Sequence, residues 1–168
     1  LSRAEAFTDR LWQELEDYNE KGMENNDNDW LTMAINHIGG IIAQFWLLAL
    51  SRRQAEKGGD WQGIPEKYKT RFERIISGKS SAAAMGRVIL ASQLHFLFSL
   101  DRSWTRKKIV PLLNWDINAQ RAAQAWGGYL WWGRWNEALL PELLPLYEQA
   151  YNKLPRGLEV YDRLCAHL

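Results

Sequence analysis

No stretch of this chain sustains the apolar–polar alternation of a strand. Its apolar residues recur instead at spacings of three and four, over runs of roughly ten to twenty residues joined by short polar turns. That pattern confines the chain to an all-α fold, an irregular array of about seven or eight helices in antiparallel pairs. No exact period runs through it, so a regular repeat family is not supported, and an irregular, HEAT-like stack of helical hairpins stays open. With 168 residues, 46% of them hydrophobic and 24% charged, the chain suits one domain with a sizeable core, taken as residues 1–168. It starts at Leu1 and stops inside an amphipathic run (Leu158, Tyr161, Leu164, Cys165, Leu168), which reads as a domain cut from a longer multidomain protein. A single cysteine, Cys165, leaves no internal disulfide framework and fits a reducing cytoplasm. The apolar run Gly39–Leu50 falls short of the about 20 residues that span a bilayer, so a buried helix is expected there and no membrane.

Helix boundaries follow from local chemistry. Ser2 and Glu5 match a capping box, with Ala4, Phe7, Leu11, Leu15 and Tyr18 as the apolar stripe behind it. Glu14, Glu16 and Asp17 then read as a solvated acidic face, and Asn25–Asn28 as a turn. Asn28 or Asp29 caps a segment from Trp30, and the pair Gly39–Gly40 is expected to break it. From Ile41 to Arg53 the run is apolar on nearly all sides, as a central helix would be, until Gly58–Gly59 ends it. Pro65 opens and Gly78 closes a peripheral helix. Ser80 or Ser81 caps a second central helix, Ala82–Leu100. A short helix from Ser103 or Trp104 is kinked by Pro111, and Asp116 caps Ile117–Trp132. Pro141 and Pro145 force a bend or 3₁₀ turn at the start of Asn136–Leu154.

Four of the ten tryptophans, Trp126, Trp131, Trp132 and Trp135, fall within Ala125–Glu137. On a helix Trp131, Trp132 and Trp135 share one broad face, and Gly127–Gly128 lets a neighbouring helix approach closely. Gly133 suits an αL cap, and Asn136 can cap the next helix. The cluster is either helix–helix core or a patch that receives a partner, because Trp and Arg concentrate at interface hot spots. Both hold if Trp132 lies inside and Trp135 at the rim. The partner-binding candidates are Trp131, Arg134, Trp135 and Glu137.

Catalytic and metal signatures are missing. The three glycine pairs lack a phosphate-loop context, and no HExxH, CxxC or ExxH occurs. His37, His95 and His167 lack carboxylates at ligand spacing; His95 reads as a core residue and His37 as satisfying a helix end or loop. Cys165 and His167 stand two apart, facing away from each other on a helix. No catalytic residue, metal or cofactor is expected.

Charge is segregated. Residues 1–30 carry a net of −6 and residues 52–108 a net of +8, within an overall +1. Arg102, Trp104, Arg106, Lys107 and Lys108 mix cations with an aromatic, as a nucleic-acid contact would. The near-zero total favours the plainer alternative, a solvated helix start whose cations answer the acidic first helix, although cations there oppose the helix dipole.

Five strings together resemble a known bacterial family: Asn36-His37 with Phe45-Trp46-Leu47; Ser92-Gln93-Leu94-His95-Phe96-Leu97-Phe98; Trp104-Thr105-Arg106; Pro111-Leu112-Leu113-Asn114-Trp115; and Gly133-Arg134-Trp135-Asn136-Glu137. They are similar to the helical domain of unknown function found C-terminal to sirtuin-like domains in proteins linked to anti-phage defence. The resemblance covers Trp30 to Leu154 and departs at Ile38, where proline is expected. It implies a linked sirtuin-like domain that consumes NAD. This non-enzymatic part would act as sensor or scaffold, binding protein in cis or from a phage, with oligomerisation left open. No catalytic residue carries over.

Overall fold

The computed structural model describes residues 2–18, 29–133, 137–154, 156 and 159–167. Among these residues the chain is all-helical: α1 (Ser2–Leu15), α2 (Trp30–Asn36), α3 (Ile38–Lys57), α4 (Glu66–Ser77), α5 (Ser81–Ser92), α6 (Leu94–Leu100), α7 (Arg102–Lys108), α8 (Ala119–Trp132), α9 (Leu140–Lys153) and α10 (Glu159–His167), with 3₁₀ turns at Gly58–Asp60 and Val110–Leu113. The count exceeds the expected seven or eight, and two apolar runs are each broken, the first as expected. The first divides at His37, ahead of the glycine pair, where α2 and α3 meet at 80°. His37 serves both helix ends: its backbone N–H donates to the Ala34 carbonyl at the end of α2, and its Nδ1 accepts from the Gly39 N–H at 3.0 Å as the N-cap of α3. The second divides at Gln93, bending α5 from α6 by 70°. There Ser92 Oγ donates to the Ile89 carbonyl at 2.7 Å, a local bond that competes with the helical ladder. No single helix among the described residues is long and apolar enough to cross a membrane.

The array is organised around α5. All twelve of its residues are buried, and it packs against α2, α3, α4 and α8. Its opening Ser-Ala-Ala-Ala keeps the helix thin, and glycines on two neighbours bring their backbones onto it. A Cβ on Gly39 of α3 would overlap the Ala82 backbone, and one on Gly128 of α8 the Val88 carbonyl. Gly39 and Gly128 thus serve close contact, the second as expected, while the break expected near Gly39–Gly40 falls at His37, just ahead of the pair. Trp126 is fully buried between α8 and α9, edge-on to Tyr147 at 5.0 Å, with its Nε1 donating to the Leu113 carbonyl at 2.9 Å.

Asp29, Ser80 and Asn118 accept from backbone N–H groups at the starts of α2, α5 and α8. The last replaces the expected Asp116, two residues earlier, whose N–H instead bonds Asn114 Oδ1. Gly58, at φ +52°, ends α3 as expected. Gly133 ends α8 at φ −58°, outside the αL region expected of it. Pro145 sits inside α9, whose first bond, Glu142 N–H to the Leu139 carbonyl, is of the 3₁₀ kind. The expected turn Asn25–Asn28 and the cap Asn136 lie outside the described residues.

Helix α1 corrects the sequence reading. Phe7 and Tyr18 of the expected apolar stripe are exposed, while Glu5 and Trp12 are buried. Glu5 is no capping residue; its carboxylate accepts from Lys67 Nζ (2.7 Å), Tyr68 Oη (2.7 Å) and Arg71 Nη1 (3.0 Å), all on α4. Arg71 also grips Asp9 with two bonds of 2.7 Å and lies over the rings of Trp46 and Tyr68. Glu14, Glu16 and Asp17 are exposed, as expected, and Glu16 makes a surface pair with Arg74. Burial raises the Glu5 pKa, but the bonds from Lys67, Tyr68 and Arg71 outweigh it and hold the carboxyl at about 2. The acidic first helix is therefore answered by α4.

Candidate interaction surface

Helix α3 is not enclosed on all sides. Ile38, Ile41, Phe45 and Leu48, at spacings of three, four and three, form a line along one face, ending at Arg52 one turn on. Ile41 is 47% exposed and Leu48 53%, and Ile35 of α2 extends the apolar line. The last turn of α8 faces this line with Trp132, 45% exposed. A buried Trp132 was one of the arrangements left open; the close packing of α8 on α5 commits Tyr129 and Leu130 to the core and leaves Trp132 pointing out.

Two adjoining grooves meet here. One of about 440 Å³ lies between Phe45 and Leu48 of α3, Ile89 of α5 and Trp132. The other, about 370 Å³, is bounded by His95, Trp131 and Gly133. Gln93, at the break between α5 and α6, and Trp132 line both. Among the described residues no carboxylate lines either groove, while Arg163 of α10 lies over the Trp131 ring at 3.3 Å from its centroid. That contact half-buries Trp131, so its face is taken within the chain. Glu137 is exposed just before α9, and the other two partner-binding candidates, Arg134 and Trp135, lie outside the described residues. Sequence reading missed the α3 face because a run apolar all round carries no signal of which side stays open.

The basic alternative is assembled differently from its sequence reading. Trp104 is buried against Phe72 and its Nε1 donates to Glu73, so it offers no free face for a base. Arg102 and Arg106 lie over the Phe98 ring, Arg106 pairs with Glu142, and Lys108 pairs with Glu73 at 3.0 Å. Arg106, Lys107 and Lys108 occupy the last turn of α7, where cations complement the helix dipole; the expected opposition came from placing them at a helix start.

Elsewhere, His167 of α10 meets the buried Tyr147 hydroxyl at 3.2 Å, and Tyr147 in turn donates to Tyr129 at 3.2 Å. Burial, reinforced by Arg163, lowers the His167 pKa. Cys165 is exposed on the same helix. Among the described residues no three His, Cys, Asp or Glu side chains gather as a metal would require. No family model matches the chain, and comparison with curated proteins and with solved structures returns no match.

Proposed function

We propose that this chain is a non-enzymatic helical sensor or scaffold domain that docks an amphipathic helix of a protein partner against α3 and the end of α8. The observation that carries this reading is the line of exposed apolar side chains, Ile38, Ile41 and Leu48, facing an exposed Trp132 across an open groove. Apolar residues at this spacing match a helix-in-groove mode, read by anchors three and four residues apart. Grooves lined by no carboxylate among the described residues, with the exposed Arg52 one turn beyond Leu48, favour a partner helix with acidic flanks. The sequence resemblance motivates the partner's identity: a sirtuin-like NAD-consuming domain in cis, held inactive or assembled by this one, with a phage protein as trigger. Its regulation would be a shift between two packings of the array, biased by the bound partner.

Titration of the purified chain with a synthetic amphipathic leucine helix carrying glutamate flanks, followed by tryptophan fluorescence, tests the surface. Saturable binding is expected, weaker by about tenfold with lysine flanks and lost in Leu48→Asp with helicity unchanged. Equal binding by Leu48→Asp would remove the site. The cis arrangement is tested separately by the reading frame around this chain: a sirtuin-like domain encoded there supports it, and its absence removes the defence role while leaving the groove.

A further inference from the structure

A second cavity, sharing no lining residue with the α3–α8 grooves, lies where α4, α7 and α8 converge on the 3₁₀ turn Val110–Leu113. It measures about 200 Å³, and its lining divides into two kinds of surface. Ile76, Pro111, Leu112 and Ile117 form an apolar wall, with Ile117 66% exposed. Lys107, Lys108, Arg121, Asn114 and Asn118 form the polar wall, and among the described residues no carboxylate lines the cavity.

The polar wall presents donors. Asn118 Oδ1 accepts from the Arg121 N–H at 2.9 Å and Asn114 Oδ1 from the Asp116 N–H at 2.9 Å. With both amide oxygens engaged by the backbone, each side chain is left with its NH₂ as the group to offer. Arg121 is held in place by bonds to the carbonyls of Ile76 (3.1 Å) and Gly78 (3.4 Å), which use two of its five N–H donors. Lys108 is neutralised by Glu73, whereas Lys107 is exposed and has no ion pair among the described residues. The N-terminus of the fourteen-residue α8 opens beside these groups, and its dipole adds to the positive potential. Behind Arg121 stands a second cation: Arg87 is buried, bonds the carbonyls of Ile75 and Gly78, and has no carboxylate partner among the described residues. Burial, with Arg121 beside it, pushes the Arg87 pKa down to about 10, so it stays charged at neutral pH.

We propose that this cavity binds a small organic phosphate with a flat apolar part: the anion between Lys107, Arg121 and the two asparagine amides, the apolar part on Pro111, Leu112 and Ile117. A guanidinium and two amides already fixed by the backbone lose little freedom on binding, and phosphate oxygens supply the acceptors that the wall lacks. A single ring bearing one phosphate suits a cavity of about 200 Å³.

The test is an amide-resolved NMR titration of the whole chain with phenyl phosphate, phenol, inorganic phosphate and a short oligothymidylate. Saturable shifts at Leu112 and the first turn of α8 are expected for phenyl phosphate, with phenol and inorganic phosphate at least about tenfold weaker, since each offers only one half of the match. Lys107→Glu and Ile117→Ser change exposed side chains and should each weaken phenyl phosphate by about tenfold or more, while Lys57→Glu, which does not line the cavity, should not. No saturation by millimolar phenyl phosphate overturns the proposal, as does equal loss in Lys57→Glu. Binding of oligothymidylate at the same amides with higher affinity than phenyl phosphate also overturns it, assigning the surface to a nucleic-acid backbone.

Discussion

Glu5→Gln is the sharpest test of how α1 is held. The substitution keeps shape and volume but removes the charge that three α4 side chains address. A carboxyl held at about 2 in the folded chain, against an ordinary 4.5, contributes about 3 kcal/mol at neutral pH. Outright loss of a buried pair's partner costs about 3–5 kcal/mol. Here Arg71 keeps both bonds to Asp9, which places the expected loss at the lower end, about 3 kcal/mol. For a chain of this size that lowers Tm by about 6–12 °C. The sign with pH follows from the lowered pKa. The contribution is complete above 4.5 and is lost as pH falls toward 2, because the unfolded carboxyl takes up its proton first. Urea unfolding of both proteins at neutral pH and at several points below pH 4.5 should therefore show a gap of about 3 kcal/mol that closes with acid. A gap under about 0.5 kcal/mol at neutral pH, or one that stays constant into acid, would refute the Glu5 clamp and leave α1 held by Arg71 on Asp9 and by Trp12 on Trp46.

Gly128→Ala should cost about 1–2 kcal/mol, since the clash with the Val88 carbonyl exceeds the about 1 kcal/mol gained in helix propensity; a melting temperature at or above the parent's would contradict the close approach of α8 to α5. His167, whose pKa is lowered in the folded chain, should make the protein less stable as pH falls below 6.5, where the unfolded imidazole protonates first. His167→Gln should flatten that part of the profile in thermal melts, and an unchanged slope would show that another group titrates there.

What was legible in the sequence is what neighbours along the chain decide. The helical period, the caps at Asp29 and Ser80, and the end of α3 at Gly58 all depend on residues within a turn of each other. So did the separation of acidic and basic blocks, although not which cations would meet the acids. Tertiary structure decided the rest, because it turns on partners distant in sequence. Glu5 faces inward because Arg71 and Tyr68 wait on α4, so the apolar stripe drawn through Phe7 and Tyr18 pointed the helix the wrong way. Trp104 looked available for stacking until Glu73 and Phe72 enclosed it. An all-apolar run such as α3 specifies no inward face; packing on α5 chose one and left Ile41 and Leu48 outside. Likewise the cavity at Lys107 and Arg121 joins three helices and a 3₁₀ turn, and only their convergence places its donors together. Local sequence sets period and termini; burial, charge pairing and open surface are properties of the assembled array.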